Sequence, residues 1–414
     1  MTRAPDVVIT GMGMTTPLGG DLESTWQAAL AGESGVRSLD NDWAATYGLP
    51  VNIAAQVKVH PSQVLSGPEI RRMDPSAQYA VIAMREAWAD AGSPDVPPER
   101  LGAVVSSGIG GIWTTLDAWD TLRDKGARRV LPMTVPMLMP NSPSAYVELE
   151  LGARAGAHAL VSACASGAEA IGYAAEMIRS GRADVVVAGG TEAAVHPMPL
   201  AAFAASRTLS LRNDDPEGAS RPYDVERDGF VLGEGAGIVV LESAAHAAAR
   251  GARVYGHVAG VGLSSDGYHL TSPEPGGRGQ IAAMRAAMAD AEVAPSDIVH
   301  LNAHATSTVV GDLIEAHSVR QVLGGAADGV ALSATKSMTG HLLGGAGAVE
   351  TIFAVLALHH RTAPPTINVS QPDPDLVLDL VRDTPRELPS GQVAAINNSF
   401  GFGGHNVALV VTSA

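Results

Sequence analysis

The stretch "HALVSACASGAEAIGYAAEMIRSGRADVVVAGG", residues 158–190, holds an apolar run, a turn of small residues, a helical pattern and a second apolar run. Ala168, Ile171, Ala174 and Ile178 recur at helical spacing, and Gly181 stops the pattern. "ADVVVAGG" (183–190) is apolar on consecutive residues, as a strand buried on both faces would be. Strand, helix and buried strand in succession predict a layered α/β fold.

The same alternation runs outward in both directions. Upstream are "DVVIT" (6–10) and "LGAVVSS" (101–107); downstream is "AGIVVLES" (236–243). The second half repeats it with "VYGHVAGVGL" (254–263), "DIVHLNAHAT" (297–306), "GVALSATKS" (329–337), "QVAAINNSFG" (392–401) and "NVALVVTS" (406–413). Each half closes on a strand preceded by a glycine-rich turn, "LGEGAG" and then "FGFGGH", which suggests an internal duplication with its boundary near residues 250–258. "GMGMTT" after the first strand lacks the third glycine of a dinucleotide fingerprint, and no Lys-Ser/Thr follows a glycine-rich turn, so nucleotide binding is disfavoured.

Lys and Arg number 27 against 43 Asp and Glu, a formal charge of −16 that argues against nucleic acid or an anionic membrane as partner. The N-terminal "MTRAPDVVITGMGM" has no long apolar core with a cleavage site, and no run approaches the roughly 20 apolar residues of a membrane span. A single cysteine permits no intramolecular disulfide, so the expected setting is cytoplasmic. Only three of the 27 basic residues are Lys: Lys58, Lys125 and Lys336.

That cysteine, Cys164, falls on the predicted strand-to-helix turn. Unpaired N–H groups and the helix dipole there favour a thiolate and can cradle an oxyanion. An inert core cysteine fits the stretch equally well. "LNAHATSTVVGDLIEAH" sets His304 just after a strand among small and hydroxylated residues, and "SATKSMTGHLLGGAGAVE" sets His341 at a helix start five residues after Lys336. Either histidine alone reads as a buried hydrogen-bonder; two in small-residue loops at strand ends point to chemistry. "NNSFGFGGHN" (397–406) packs three glycines and two of the chain's five Phe into one turn whose backbone can approach a ligand. His317, His359, His360 and His405 are read as structural or surface residues.

Together with "ITGMGMTTPLG" (9–19), "RMDPSAQYA" (72–80), "SGIGG" (107–111) and "SRPYDVERDGFVLGEGAG" (220–237), these stretches resemble the β-ketoacyl-acyl carrier protein synthases, condensing enzymes of the thiolase superfamily, in particular synthase II of type II fatty acid synthesis. The resemblance covers essentially the whole chain. It implies a thiolase-like α/β fold of two duplicated halves, 1–255 and 256–414, stacked as a five-layer αβαβα sandwich. It implies that Cys164 takes an acyl chain from carrier protein, that His304 and His341 stabilise the enolate formed as malonyl-carrier protein loses CO₂, and that Lys336 supports them with Glu315 as its partner. The N–H groups of Cys164 and Phe400 would form the oxyanion hole, with Phe400 also the gate. Thr271, Thr306 and Thr308 would hold the phosphopantetheine or malonyl end, and Ile109 and Phe203 the acyl-pocket wall. No cofactor and no metal is implied. Partners would be an acidic acyl carrier protein, docked through Arg71, Arg72, Lys125, Arg128, Arg129 and Arg207, and a second copy of the chain approached by "VLPMTVPMLMPN" (130–141). Core packing is the other reading of Met133, Met137 and Met139 there. Ala305 stands where synthase II commonly has Gly, which predicts a narrower malonyl subsite. An aromatic polyketide ketosynthase subunit would use the same residues. A Cys-His acyl hydrolase would have no use for the second His and the Lys, and a His/His/Cys zinc site lacks paired ligand spacing.

Overall fold

In the computed structural model, which describes residues 6–414, the first half of the chain runs β1 (Val7–Thr15), α1 (Pro75–Asp90), β2 (Leu101–Ser106), α2 (Ser142–Leu151), β3 (Ala157–His158), α3 (Ser166–Arg179), β4 (Val185–Glu192) and β5 (Gly235–Ser243). The second half repeats that order as β6 (Gly256–Ser265), α4 (Arg278–Asp290), β7 (Ile298–Asn302), α5 (Gly311–Leu323), β8 (Ala331–Ser333), α6 (Ala346–His360), β9 (Ala394–Gly401) and β10 (His405–Ser413). Residues 1–5, which open the stretch read as free of a targeting signal, lie outside the described residues.

Hydrogen bonding orders the strands β3-β2-β4-β5-β1-β6-β10-β9-β7-β8, so the second half mirrors the first about the β1–β6 pair. That pair is in ladder register only at Val8 with His257 and Ile9 with Gly256. Helices α3 and α6 lie against strands of both halves and against each other, with α1 and α2 outside one half-sheet and α4 and α5 outside the other. The result is the αβαβα sandwich of a thiolase-like fold, and the duplication hinted at by the two similar strand endings is real.

Two details show how the sequence encodes the layering. Gly11 and Gly13, placed above after the first strand, lie inside β1, where a Cβ on either would overlap the carbonyls of Ala87 and Ala83 on α1. Gly260 and Gly262 of β6 stand in the same relation to Ala287 and Ala283 of α4. Small residues on both partners let helix and strand close up. Contrary to the reading that no segment comes near a membrane span, Leu343–His360 is 18 residues long and, despite Glu350, apolar enough by composition to cross one. α6 is buried without a break from Ala346 to Leu358 because it faces both sheets, which explains that composition.

The apolar stretch expected to carry a strand into the cysteine pairs with β2 only at Ala157 and His158. β2 ends at Ser106, whose hydroxyl accepts from Leu160 N at 2.9 Å, and the chain turns away from the sheet there. Of the three Met in 130–141, only Met137 is buried; Met133 and Met139 are exposed beside Leu131 and Val135, so core packing does not account for them.

Candidate active site

α3 starts directly after a 3₁₀ turn, Ala163–Ala165, that carries Cys164; α6 starts after the matching turn Leu343–Gly345. Both turns hold a non-glycine residue in the left-handed region, Ala163 at φ 52° and Leu343 at φ 47°. Ser166 secures the first: its hydroxyl accepts from Ser162 N at 3.0 Å and donates to Ala163 O at 2.7 Å. Cys164 is 8% exposed. Burial pushes its thiol up to about 11, while the N–H of Phe402, the charge of Lys336 and the residue's own N–H pull the other way. Two backbone N–H groups therefore converge on the sulfur, those of Cys164 and Phe402. This corrects the expectation for Phe400, which lies in β9 opposite Asn406 and sets its ring against His304 at a centroid distance of 5.8 Å. The hairpin turn follows Gly401, so it is Phe402 that swings its N–H toward the cysteine.

His304 leaves the end of β7, where its N–H donates to Glu315 Oε1 at 2.9 Å and that of Ala305 donates to Oε2 at 2.8 Å. Asn398 Nδ2 adds a third bond to Glu315 Oε1 at 3.0 Å. His341 is fixed by its N–H to Val231 O at 2.8 Å. The two rings stand edge to face, centroids 5.4 Å apart. Burial, then the Lys336 charge, holds both well below the ordinary histidine range, so both are neutral.

Lys336 is not paired with Glu315 as expected. Its ammonium donates to Glu350 Oε1 at 2.5 Å and lies 3.4 Å from His304 Nδ1, with Lys336 1% and Glu350 2% exposed. Glu315 is spent on the His304 loop, and α6 brings Glu350 up from beneath. Burial pushes Glu350 up to about 7 against the pull of Lys336. An ammonium donating to Nδ1 leaves the proton of His304 on Nε2.

One cavity of about 550 Å³ collects most of the residues singled out from sequence: Cys164, His304, His341, Glu315, Phe400, Ile109, Phe203, Thr271, Thr306, Thr308 and Arg207. Phe203 meets Phe230 at 5.3 Å, and Phe230 meets His341 at 5.3 Å, so an aromatic series links the expected acyl wall to the histidine pair. Of the six docking cations only Arg207 lines the cavity; Arg71, Arg72, Lys125, Arg128 and Arg129 are exposed and stand away from it. Among the described residues no cluster of three or more His, Cys, Asp or Glu is placed to hold a metal ion.

The sequence reading missed Glu350, Phe402, Phe230 and Glu192. Glu192, fully buried at the end of β4, accepts from Ser107 Oγ (2.6 Å), Gly108 N (2.9 Å), Ile109 N (3.4 Å) and Gly344 N (3.0 Å), tying the cavity wall to the turn before α6. A signal existed for both carboxylates, since an acid inside an unbroken apolar helix or strand must find donors once buried.

A buried thiol under two aimed N–H groups, facing two neutral imidazoles with an ion pair behind one of them, defines an acyltransferase-type site on a thiolase-like scaffold. The chain belongs to the β-ketoacyl synthase family: residues 4–247 match its N-terminal domain and residues 255–370 its C-terminal domain. It is 45% identical over 413 residues to the 3-oxoacyl-[acyl-carrier-protein] synthase 2 of Staphylococcus aureus strain N315, covering 99% of both chains. To the enzyme of that name from Mycobacterium bovis it is 44% identical over 406 residues, covering 98% of this chain and 96% of the other. Among solved structures it is similar to a β-ketoacyl synthase from Burkholderia phymatum STM815 (TM-score 0.90, 34% identity, 99% and 100% covered). A type II polyketide synthase acyl-carrier protein in complex with its ketosynthase bound to the hexaketide gives a TM-score of 0.92 at 30% identity, with both chains fully covered.

Proposed function

We propose that this chain is a β-ketoacyl-acyl carrier protein synthase of the synthase II type, extending a fatty acyl chain by two carbons. Cys164 sulfur attacks the thioester carbonyl of acyl-carrier protein, the carrier thiol leaves, and the acyl group stays on sulfur. Malonyl-carrier protein then binds and its carboxylate departs as CO₂, leaving the bonding pair as a thioester enolate. Neutral His304 and His341 each donate one N–H to the enolate oxygen. The carbanion attacks the acyl-Cys164 carbonyl, the N–H groups of Cys164 and Phe402 receive the oxyanion, and collapse expels the Cys164 thiolate. Loss of CO₂ supplies the driving force, so the reaction calls for no cofactor.

The observation that carries this reading is the pair of neutral imidazoles across the cavity from the thiol, one backed by Lys336. A Cys-His hydrolase needs a single histidine to take the thiol proton. The exposed apolar residues Leu131, Met133, Val135 and Met139 support a homodimer. The two halves divide at 255/256 in this reading, and the setting is cytoplasmic. A second reading, a type II polyketide ketosynthase subunit, draws on the likeness to the carrier-bound polyketide ketosynthase.

Intact mass of the wild type and Cys164→Ala, after acyl-carrier proteins of graded length and then malonyl-carrier protein, tests the proposal. The expected result is an adduct on the wild type alone, discharged as a product two carbons longer. The absence of any adduct from folded protein would sink it, and a profile confined to poly-β-keto chains would favour the second reading.

A further inference from the structure

The "SRPYDVERDGF" segment (220–230) supplies no group to the chemistry above, yet much of its polar capacity is aimed at one turn. That turn, Thr306-Ser307-Thr308, places Ser307 at φ 68°, the left-handed region that a β-carbon disfavours. In consequence the two flanking hydroxyls face each other, Thr306 Oγ1 and Thr308 Oγ1 at 3.1 Å, both lining the cavity beside His304.

Such a conformation persists only where its surroundings hold it. Arg221 N donates to Ser307 Oγ at 3.0 Å, and Gly229 N to Ser307 O at 3.0 Å. Arg227, 4% exposed, donates from Nε to Thr308 O at 3.1 Å and from Nη2 to Val309 O at 2.7 Å. Its Nη1 is braced by Asp224 O and Asp373 Oδ2, each at 2.8 Å, and Asp312 Oδ2 lies 3.6 Å from Nε. Asp312 also receives Thr308 N at 3.2 Å and Tyr223 N at 3.1 Å. One planar guanidinium thus holds two successive carbonyls, those of Thr308 and Val309, where the chain reaches the exposed Val309 and Val310. A lysine ammonium, a point donor, cannot span both.

We propose that Arg227 is a positioning residue that clamps the strained Thr306–Thr308 turn and so sets affinity for the pantetheine arm of the substrate. The inference rests on the synthase reading above. Arg227 touches no reacting atom, so its effect falls on binding and leaves the thiol alone.

The test compares Arg227→Lys, Asp373→Asn and wild type in two assays: condensation with malonyl-pantetheine and malonyl-carrier protein as varied substrates, and alkylation of Cys164 by iodoacetamide, which uses no arm. In Arg227→Lys, KM for both malonyl substrates should rise at least about tenfold, as loss of charge-assisted bonds to buried carbonyls requires, while the alkylation rate stays within about twofold. Asp373→Asn, which removes only a brace, should move KM the same way by less and serves if Arg227→Lys fails to fold. Unchanged KM in both variants overturns the clamp, as does a parallel fall in alkylation, which would make Arg227 general scaffold. Wild type that never condenses removes the synthase reading itself, an outcome separate from either.

Discussion

Replacing Glu350 by Gln leaves the shape of the site intact and strips Lys336 of its counter-ion. The pair is 1% and 2% exposed with Nζ and Oε1 2.5 Å apart, so water cannot substitute for the lost carboxylate. Removing one partner of a buried ion pair costs about 3–5 kcal/mol. At an unfolding entropy of about 2.1 cal/mol/K per residue, a chain of 414 residues should lose about 3–6 °C in Tm by calorimetry. Without the carboxylate, Lys336 also loses the partner that holds its ammonium against His304 Nδ1, the donor that keeps a proton on Nε2. Decarboxylation of malonyl-carrier protein should therefore fall by about 10²-fold, with Cys164 alkylation changed far less. The double variant Lys336→Met, Glu350→Leu separates the two effects: an apolar pair of similar volume should recover the lost stability and recover no decarboxylation. Refutation would be a Glu350→Gln protein whose Tm moves by less than about 1 °C, or a double variant that decarboxylates as wild type.

Because burial holds the Cys164 thiol at about 11, its alkylation rate should climb about tenfold per pH unit from pH 7 to 10; a plateau below pH 9 would show a thiolate already present. His304 and His341, held well below the usual 6.5 by burial and Lys336, stay neutral as the medium is acidified. The histidines themselves should thus add no titration from about pH 8 to 6. A fall on acidification comes from Glu350, held at about 7, and disappears in Glu350→Gln, so a loss centred near 6.5 in a pH–rate profile that persists in Glu350→Gln contradicts the assignment. In Gly401→Ala the new Cβ would overlap Ser162 O and lie 3.2 Å from Cys164 N; the hairpin must back away from the cysteine, and acylation measured by intact mass should slow by about 10²-fold. Ala305 is buried in the cavity lining, so Ala305→Gly should tighten inhibitors that mimic the malonyl group several-fold in competition assays, and unchanged affinity removes Ala305 as a filter.

What could be read from the sequence depended on whether a residue's role is written in its neighbours. Cys164, His304, Lys336 and His341 stand among small residues and glycines at the ends of apolar runs, and the fold brings them into or against one cavity. Glu350 sits in the middle of "AGAVETIFAVLALHH", where the helical pattern announces only burial; its partner is fixed by how α6 crosses beneath Lys336, a tertiary fact. Glu315 was paired with Lys336 on the family resemblance, yet two N–H groups of the His304 loop claim both its oxygens. Phe400 and Phe402 could not be told apart by composition, because the choice depends on the residue at which β9 ends and the turn begins. The buried strands were legible from their unbroken apolar runs, and the two-residue β3 was not, since a ladder that short depends on where its neighbour stops.

The duplication gives the site its asymmetry. The turns 163–165 and 343–345 share a left-handed residue at the same place, and each launches a central helix between the same two sheets. In the first copy the next residue is Cys164; in the second it is Gly344, whose N–H goes to Glu192 of the first half and whose Cβ, if present, would collide with Gly108 N. A side chain at 344 has no room against Gly108 and Glu192. The copy that gave up its side chain lets the halves close until His341, three residues upstream, stands in the same cavity as the cysteine. A Gly344→Ala variant would push the second turn off Gly108 and Glu192, so the arrangement makes that turn a determinant of how closely His341 approaches the first half, although it supplies no reacting atom itself.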